Sequence, residues 1–188
     1  YGVIPDILVY GKNLCGGIAP LCGVSARDDI MGDNDEFMSG STFAGTPAGC
    51  AAAIRTLQIF ERDHIVDHAR ALGEMAADIM SGWSRYGIVR QARGNGLLLG
   101  VSFGKPESAA AEEQDWWTAR AVRGKMLEQG VWAISDRQDT IRMYPALNMQ
   151  EAVLREGLQI MEDAIRHVEA HGHTEGDAAA WPSGVAGF

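Results

Sequence analysis

Three lysines occur in the 188 residues, and one of them is placed to do chemistry. Lys105 falls in the turn Gly104-Lys105-Pro106-Glu107, and Lys125 has polar neighbours on a helical stretch. Lys12 follows the apolar run Ile7-Leu8-Val9-Tyr10 and Gly11, and precedes Asn13-Leu14-Cys15-Gly16-Gly17. An amine that starts at the end of a buried strand is expected to be partly desolvated. Desolvation disfavours its charged form and leaves it nucleophilic toward a carbonyl carbon. The glycines would let backbone pass close to a flat or bulky group. A strand-end lysine that points to solvent fits the same local pattern.

The other chemically capable residues form no metal site. His64 and His68 have the i, i+4 spacing that two zinc ligands use on a helix, but no third ligand lies near them in sequence. They read as surface residues. Cys15, Cys22 and Cys50 lack metal-ligand spacing and cannot close a disulfide framework, which suits a reducing compartment.

Stepping outward from Lys12, Ile7 to Tyr10 reads as a buried strand and Leu21 to Ala26 as a second one. The acidic stretch from Asp28 to Glu36 is expected to be a surface loop or short helix. Gly40 to Pro47 feeds a helix over Ala48 to Phe60, with Thr46 as N-cap and Pro47 at its first position. Asp63 is expected to cap a following helix that buries Ile65, Val66, Ala69, Leu72, Met75, Ala76, Ile79 and Met80. Ile88–Arg93 and Leu97–Phe103 form a hairpin around Gly94-Asn95-Gly96. A helix over Glu112–Gln129 is stopped by Gly130. Val131–Ile134 and Thr140–Tyr144 are strand candidates around the polar turn Asp136–Asp139, and Gln150–Val168 is a last amphipathic helix. The aperiodic remainder, 171–188, reads as a tail.

The balance of charge narrows the field. With 25 acidic against 16 basic side chains the formal charge is -9, which opposes broad binding to nucleic-acid phosphates or anionic membranes. An apolar content of 46% is enough for a sizeable core, and no apolar run reaches the roughly 18 residues of a spanning helix. The expectation is a soluble, cytoplasmic α/β protein. The opening at Tyr1, without an initiator methionine, reads as the interior of a longer polypeptide.

Four segments carry a resemblance. Pro5-Asp6-Ile7-Leu8-Val9-Tyr10-Gly11-Lys12-Asn13-Leu14-Cys15-Gly16-Gly17 resembles the lysine segment of class III aminotransferases, the ω-aminotransferase relatives among fold-type-I pyridoxal-phosphate enzymes. Gly40 to Pro47 resembles the family's phosphate-contacting segment, and Thr42 stands 30 residues after Lys12, a spacing that also fits. Arg90 to Gly100 resembles the hairpin that opens the small domain. Ile141-Arg142-Met143-Tyr144-Pro145-Ala146-Leu147 resembles the late strand that brings an arginine toward the substrate side.

The resemblance implies a fold and a chemistry. Residues 1–60 would be the C-terminal part of the large, cofactor-binding domain, 61–170 the small α/β C-terminal domain, and 171–188 the tail. Lys12 would form a Schiff base with pyridoxal 5′-phosphate and then move a proton during transfer of an amino group from an amino donor to a 2-oxo acid. Thr42, with Ser41 beside it, would donate to the cofactor phosphate of the neighbouring subunit in a homodimer; without the resemblance both read as turn residues. Arg142 would hold a substrate carboxylate, a surface ion pair being its other reading, and Arg93 would tie the hairpin together. Related class III chemistry includes racemases or epimerases, aminomutases and decarboxylases, and a non-catalytic fragment is the reading outside enzymology.

Two departures from the family pattern stand out. Gly17-Ile18-Ala19-Pro20-Leu21 has one residue more than the commoner glycine-aromatic-proline form and lacks the aromatic. The family's pyridine-nitrogen carboxylate, glycine-rich phosphate cup and ring-stacking aromatic precede the lysine, and none is found here. The expectation is a chain that holds the cofactor only as part of something larger.

Overall fold

The computed structural model describes residues 2–32, 42, 44–104, 112–135 and 139–172, of which 112–116 are described as backbone only. The chain separates into two compact units, Tyr1–Ile65 and Val66–Phe188.

In the first unit, β1 (Ile7–Tyr10) pairs antiparallel with β2 (Gly23–Ala26), Ile7 opposite Ala26 and Tyr10 opposite Gly23. Gly23 matters because the Tyr10 ring lies across it: a Cβ there would fall 2.5 Å from Tyr10 Cε2. That position lets the Tyr10 hydroxyl reach Ser25 Oγ at 3.1 Å. β1 is not the buried strand that its composition predicts. All four of its residues are exposed, Val9 at 72%, because a two-stranded ribbon gives it one neighbour and no covering layer. A short helix α1 (Asp28–Met31) follows, and α2 (Pro47–Arg62) begins as predicted, with Pro47 at its first turn and Thr46 at the cap. Thr46 caps by backbone position alone, without a side-chain hydrogen bond.

The second unit is a two-layer α/β arrangement. Helix α3 (Ile65–Ser81) leads through a 3-10 turn at Gly82–Arg85 into β3 (Val89–Asn95) and β4 (Leu98–Phe103). Then come α4 (Glu112–Glu128), β5 (Thr140–Met143) and α5 (Glu151–His171). The sheet is antiparallel in the order β3-β4-β5. One face of it carries Leu99, Val101, Phe103 and Ile141 into a core with Leu72, Ala76 and Met80 of α3, Val122 and Met126 of α4, and Leu158, Met161 and Ile165 of α5. Trp83 is fully buried there.

Five local expectations are corrected. Asp63 ends α2 instead of starting α3, because Arg62 occupies both its oxygens, Nε to Oδ1 at 2.6 Å and Nη2 to Oδ2 at 2.7 Å. Val66 is 56% exposed: the buried stripe of α3 runs through Ile65, Ala69, Leu72, Ala76 and Met80, one residue out of phase with it. The hairpin turn is Gly96-Leu97, with Asn95 still paired to Leu98, so β3 continues through Gly94 and Asn95. Val131–Ile134 is a single bridge, Ile134 to Arg142, not a strand. The Val131 amide donates instead to Met126 O at 2.9 Å and the Gly130 amide to Leu127 O, the Schellman arrangement that terminates α4. His171 belongs to α5, and the rest of the expected tail beyond Gly172 lies outside the described residues, as does most of the Asp136–Asp139 turn.

Candidate active site

Lys12 lies where β1 ends, as the first residue of a 3-10 turn over Lys12–Cys15. Its φ is 50°; only it and His64 among described non-glycine residues have a positive φ. A left-handed backbone of this kind costs an L-residue about 1 kcal/mol or more. The turn is held from several sides. Leu14 N donates to Gly11 O at 3.1 Å, Gly16 N to Asn13 O at 3.0 Å, and Ile18 N to Cys15 O at 3.2 Å. Cys15 is fully buried, and its thiol donates to Gly49 O in the first turn of α2 at 3.4 Å. Gly11 passes so close to Cys22 that a Cβ on it would lie 2.8 Å from Cys22 Cβ. The lysine side chain itself is exposed, and its amine has no partner among the described residues. The burial expected to desolvate Lys12 is therefore not supplied by residues 2–32.

At the other end of the ribbon, Arg27 bridges Asp6 and Asp29. Its guanidinium holds the Asp29 carboxyl below the usual carboxylate range. This fixes the start of α1 to the start of β1.

Thr42 is an exposed turn residue ahead of α2. Ser41 lies outside the described residues. Arg142 lies in the second unit, half-buried on β5. The structure thus brings Lys12 and the α2 N-terminus together through Cys15, and leaves Arg142 on a separate body. Among the described residues no group of three potential metal ligands is assembled. His68 Nε2 instead lies 2.9 Å from Met149 O.

Sequence reasoning missed a hydroxyl chain on the side of the sheet away from the core. Arg93 Nη1 donates to Ser102 Oγ at 2.8 Å, and Ser102 Oγ lies 2.8 Å from Thr140 Oγ1. Thr140 Oγ1 donates to Asp139 Oδ1 at 2.8 Å, and Asp139 also pairs with Arg90. Strand alternation was the available signal. With the hairpin register known, Arg93 and Ser102 must share one face.

A family model described as aminotransferase class-III matches residues 1–165. The 5-aminovalerate aminotransferase of Pseudomonas putida is 30% identical over 175 residues, covering 89% of this chain and 39% of that protein. The mitochondrial ornithine aminotransferase of Rattus norvegicus is 32% identical over 164 residues, covering 87% of this chain and 35% of that protein. Among solved structures, ornithine aminotransferase from Toxoplasma gondii, described with partial occupancy of PLP at its active site, matches with a TM-score of 0.79 at 27% identity. That match covers 90% of this chain and 38% of the other. Acetylornithine aminotransferase from Elizabethkingia anophelis matches with a TM-score of 0.73 at 28% identity, over 88% of this chain and 40% of the other. The mixed α/β architecture is that of part of a fold-type-I transaminase. The chain belongs to the class III aminotransferases. It spans 35% to 40% of the length of these four relatives.

Proposed function

We propose that this chain is the lysine-bearing part of a pyridoxal-phosphate-dependent aminotransferase that moves an amino group from an amine or amino acid to a 2-oxo acid. The observation that carries the reading is Lys12: a non-glycine residue in left-handed conformation, clamped by backbone bonds and a buried cysteine, with an exposed amine that has no partner among the described residues. Structures keep such backbone outliers where function requires them.

The residues present fit the reactive end of the cofactor. Lys12 Nζ would hold its aldehyde carbon, and Thr42 with Ser41 would donate to the phosphate of the cofactor in the neighbouring subunit. Bound there, the pyridoxal ring supplies an electron sink for the pair left at the substrate carbon. Lys12 Nζ, as a free amine, would be the group that carries a proton away from that carbon. Arg142 binds a substrate carboxylate through two parallel N–H bonds.

The protein acts as a homodimer in the cytoplasm, with Thr42 serving the partner's site. In the first unit Val3, Ile4, Ile7, Leu8, Val9 and Ile18 are all exposed, a surface of the kind normally covered, whether by the rest of the longer polypeptide or by a partner subunit. All three cysteines are free, which supports a reducing compartment. No described helix is long and apolar enough to cross a membrane.

Borohydride reduction of the intact polypeptide with pyridoxal phosphate, followed by peptide mapping, tests the assignment. The expected product is a reduced pyridoxyl adduct on Lys12, together with keto-acid formation from an amino donor that Lys12→Ala abolishes. An adduct on another residue, or none, refutes it.

A further inference from the structure

We propose that Arg93 is a second carboxylate-binding residue, acting beside Arg142, and that Ser102, Thr140 and Asp139 are the positioning residues that aim it. The proposal rests on the reading above that the substrates are carboxylic acids.

The sheet register is the first support. Arg93 on β3 is directly opposite Gly100 on β4, and Gly100 is directly opposite Arg142 on β5. Residues directly opposite one another project to the same face, so both arginines rise from the side away from the core. Two strand spacings separate them, roughly 10 Å between Cα atoms, within reach of two long side chains that converge on one anion. Gly100 places no side chain between them; a Cβ there would meet nothing nearer than Thr140 Cγ2 at 3.8 Å.

The donor count on Arg93 is the second. Its Nη1 spends both hydrogens inside the sheet, on Ser102 Oγ at 2.8 Å and Gln91 Oε1 at 3.1 Å. Nε and Nη2 have no partner among the described residues. Those two nitrogens form the side edge of the guanidinium, which matches a carboxylate with two parallel bonds. An arginine needed only to tie the hairpin would require Nη1 alone.

The hydroxyl chain is the third. Asp139 can only accept, so Thr140 donates to it. Thr140 must then accept from Ser102, and Ser102 accept from Arg93. Every proton in the series Arg93→Ser102→Thr140→Asp139 has one direction, and successive bonds polarise one another. Ser102 and Thr140 are 2% and 8% exposed, so the series is sheltered from water. It fixes Nη1 and with it the plane and aim of the open edge. In a protein of net charge -9, such local cationic edges are what an anionic substrate group would find.

Titration of the intact protein with glutarate, an unreactive dicarboxylate, tests this by calorimetry, alongside kcat/KM for 2-oxoglutarate and pyruvate. Arg93→Lys keeps one donor for Ser102 but removes the fork. It should weaken glutarate binding at least about tenfold and lower the 2-oxoglutarate to pyruvate preference to a similar degree. Thr140→Val cuts the series and should weaken glutarate severalfold, whereas Thr140→Ser, which keeps the hydroxyl, should restore it. Glutarate bound as in the wild type by Arg93→Lys overturns the carboxylate role. Unchanged binding by Thr140→Val, or failure of Thr140→Ser to restore it, overturns the positioning role. Arg93-dependent glutarate binding without keto-acid formation would sink the aminotransferase reading and leave this one standing. Normal transamination with Arg93-independent binding would do the reverse.

Discussion

The packing of α3 against the β3–β4 turn makes one substitution change sign between two helices. Gly73 lies mid-helix in α3, and an alanine Cβ there would lie 2.5 Å from Gly96 Cα and 2.6 Å from both Gly96 C and O. Carbon atoms in good contact stay about 3.5–4.0 Å apart, so the turn must retreat by about 1 Å. Gly96 is itself left-handed, with φ 54°, and both strands it joins are pinned in register, so it has little freedom to move. Overpacking of this kind costs about 1–3 kcal/mol, against which alanine's better helix propensity returns about 1 kcal/mol. Gly73→Ala should therefore gain nothing and lose up to about 2 kcal/mol. Gly157 in α5 has open space where its Cβ would go, so Gly157→Ala should keep the propensity gain and become more stable by up to about 1 kcal/mol. Urea unfolding of the intact protein, followed by circular dichroism, reads both. A Gly73→Ala protein as stable as Gly157→Ala would refute the packing argument.

Two further outcomes follow from other close approaches. Gly11→Ala drives a Cβ into Cys22 at 2.8 Å, one residue before Lys12, and should abolish borohydride trapping at Lys12. Adding Cys22→Gly removes the obstructing atom and should recover the label; no recovery would show that the loop is shaped by something else. The Arg62 guanidinium holds the Asp63 carboxyl below its ordinary value. A depressed carboxylate contributes stability that is complete above its unfolded pKa of about 4 and is lost as the pH falls through its lower folded value. The small advantage of the wild type over Asp63→Asn should therefore be flat near neutrality and shrink below about pH 4 in pH-dependent unfolding. An advantage that instead grew on acidification would contradict the sign.

Where side-chain period and terminal chemistry agree, the elements were legible from residue types alone. Thr46-Pro47 opened α2, Gly130 with φ 82° closed α4, and the strand read over Leu97–Phe103 matches β4 to within one residue. What failed was governed by bonds between residues that composition does not pair. Asp63 looks like a cap until Arg62 takes both its oxygens, and Val131 looks like a strand residue until its amide is committed to Met126. At the site, Lys12 was legible as a residue with motifs around it, and a solvent-pointing side chain was one of its readings; the exposure of β1 was not legible, because an apolar run reads as buried whether or not a layer covers it. The Arg93 series was hidden for another reason. Its members lie 9 and 38 residues apart and meet only through sheet register.

The backbone at Lys12 offers a sharper test of function than removal of the amine alone. A surface lysine with no task could be replaced by glycine, which adopts φ near 50° without steric cost. The left-handed penalty on an L-residue is about 1–2 kcal/mol, and glycine's greater freedom in the unfolded chain takes back about 0.5–1 kcal/mol of any gain. Lys12→Ala keeps the penalty and loses the amine; Lys12→Gly loses both. The glycine variant should therefore be more stable than the alanine variant by up to about 1.5 kcal/mol, while neither is trapped by borohydride or forms keto acid. Such a result would mean that a strained residue is held in place for its amine against the preference of the fold, the trade expected where chemistry and stability conflict. An alanine variant at least as stable as the glycine variant would show that Lys12 carries no strain. The observation on which the functional assignment leans would then be gone.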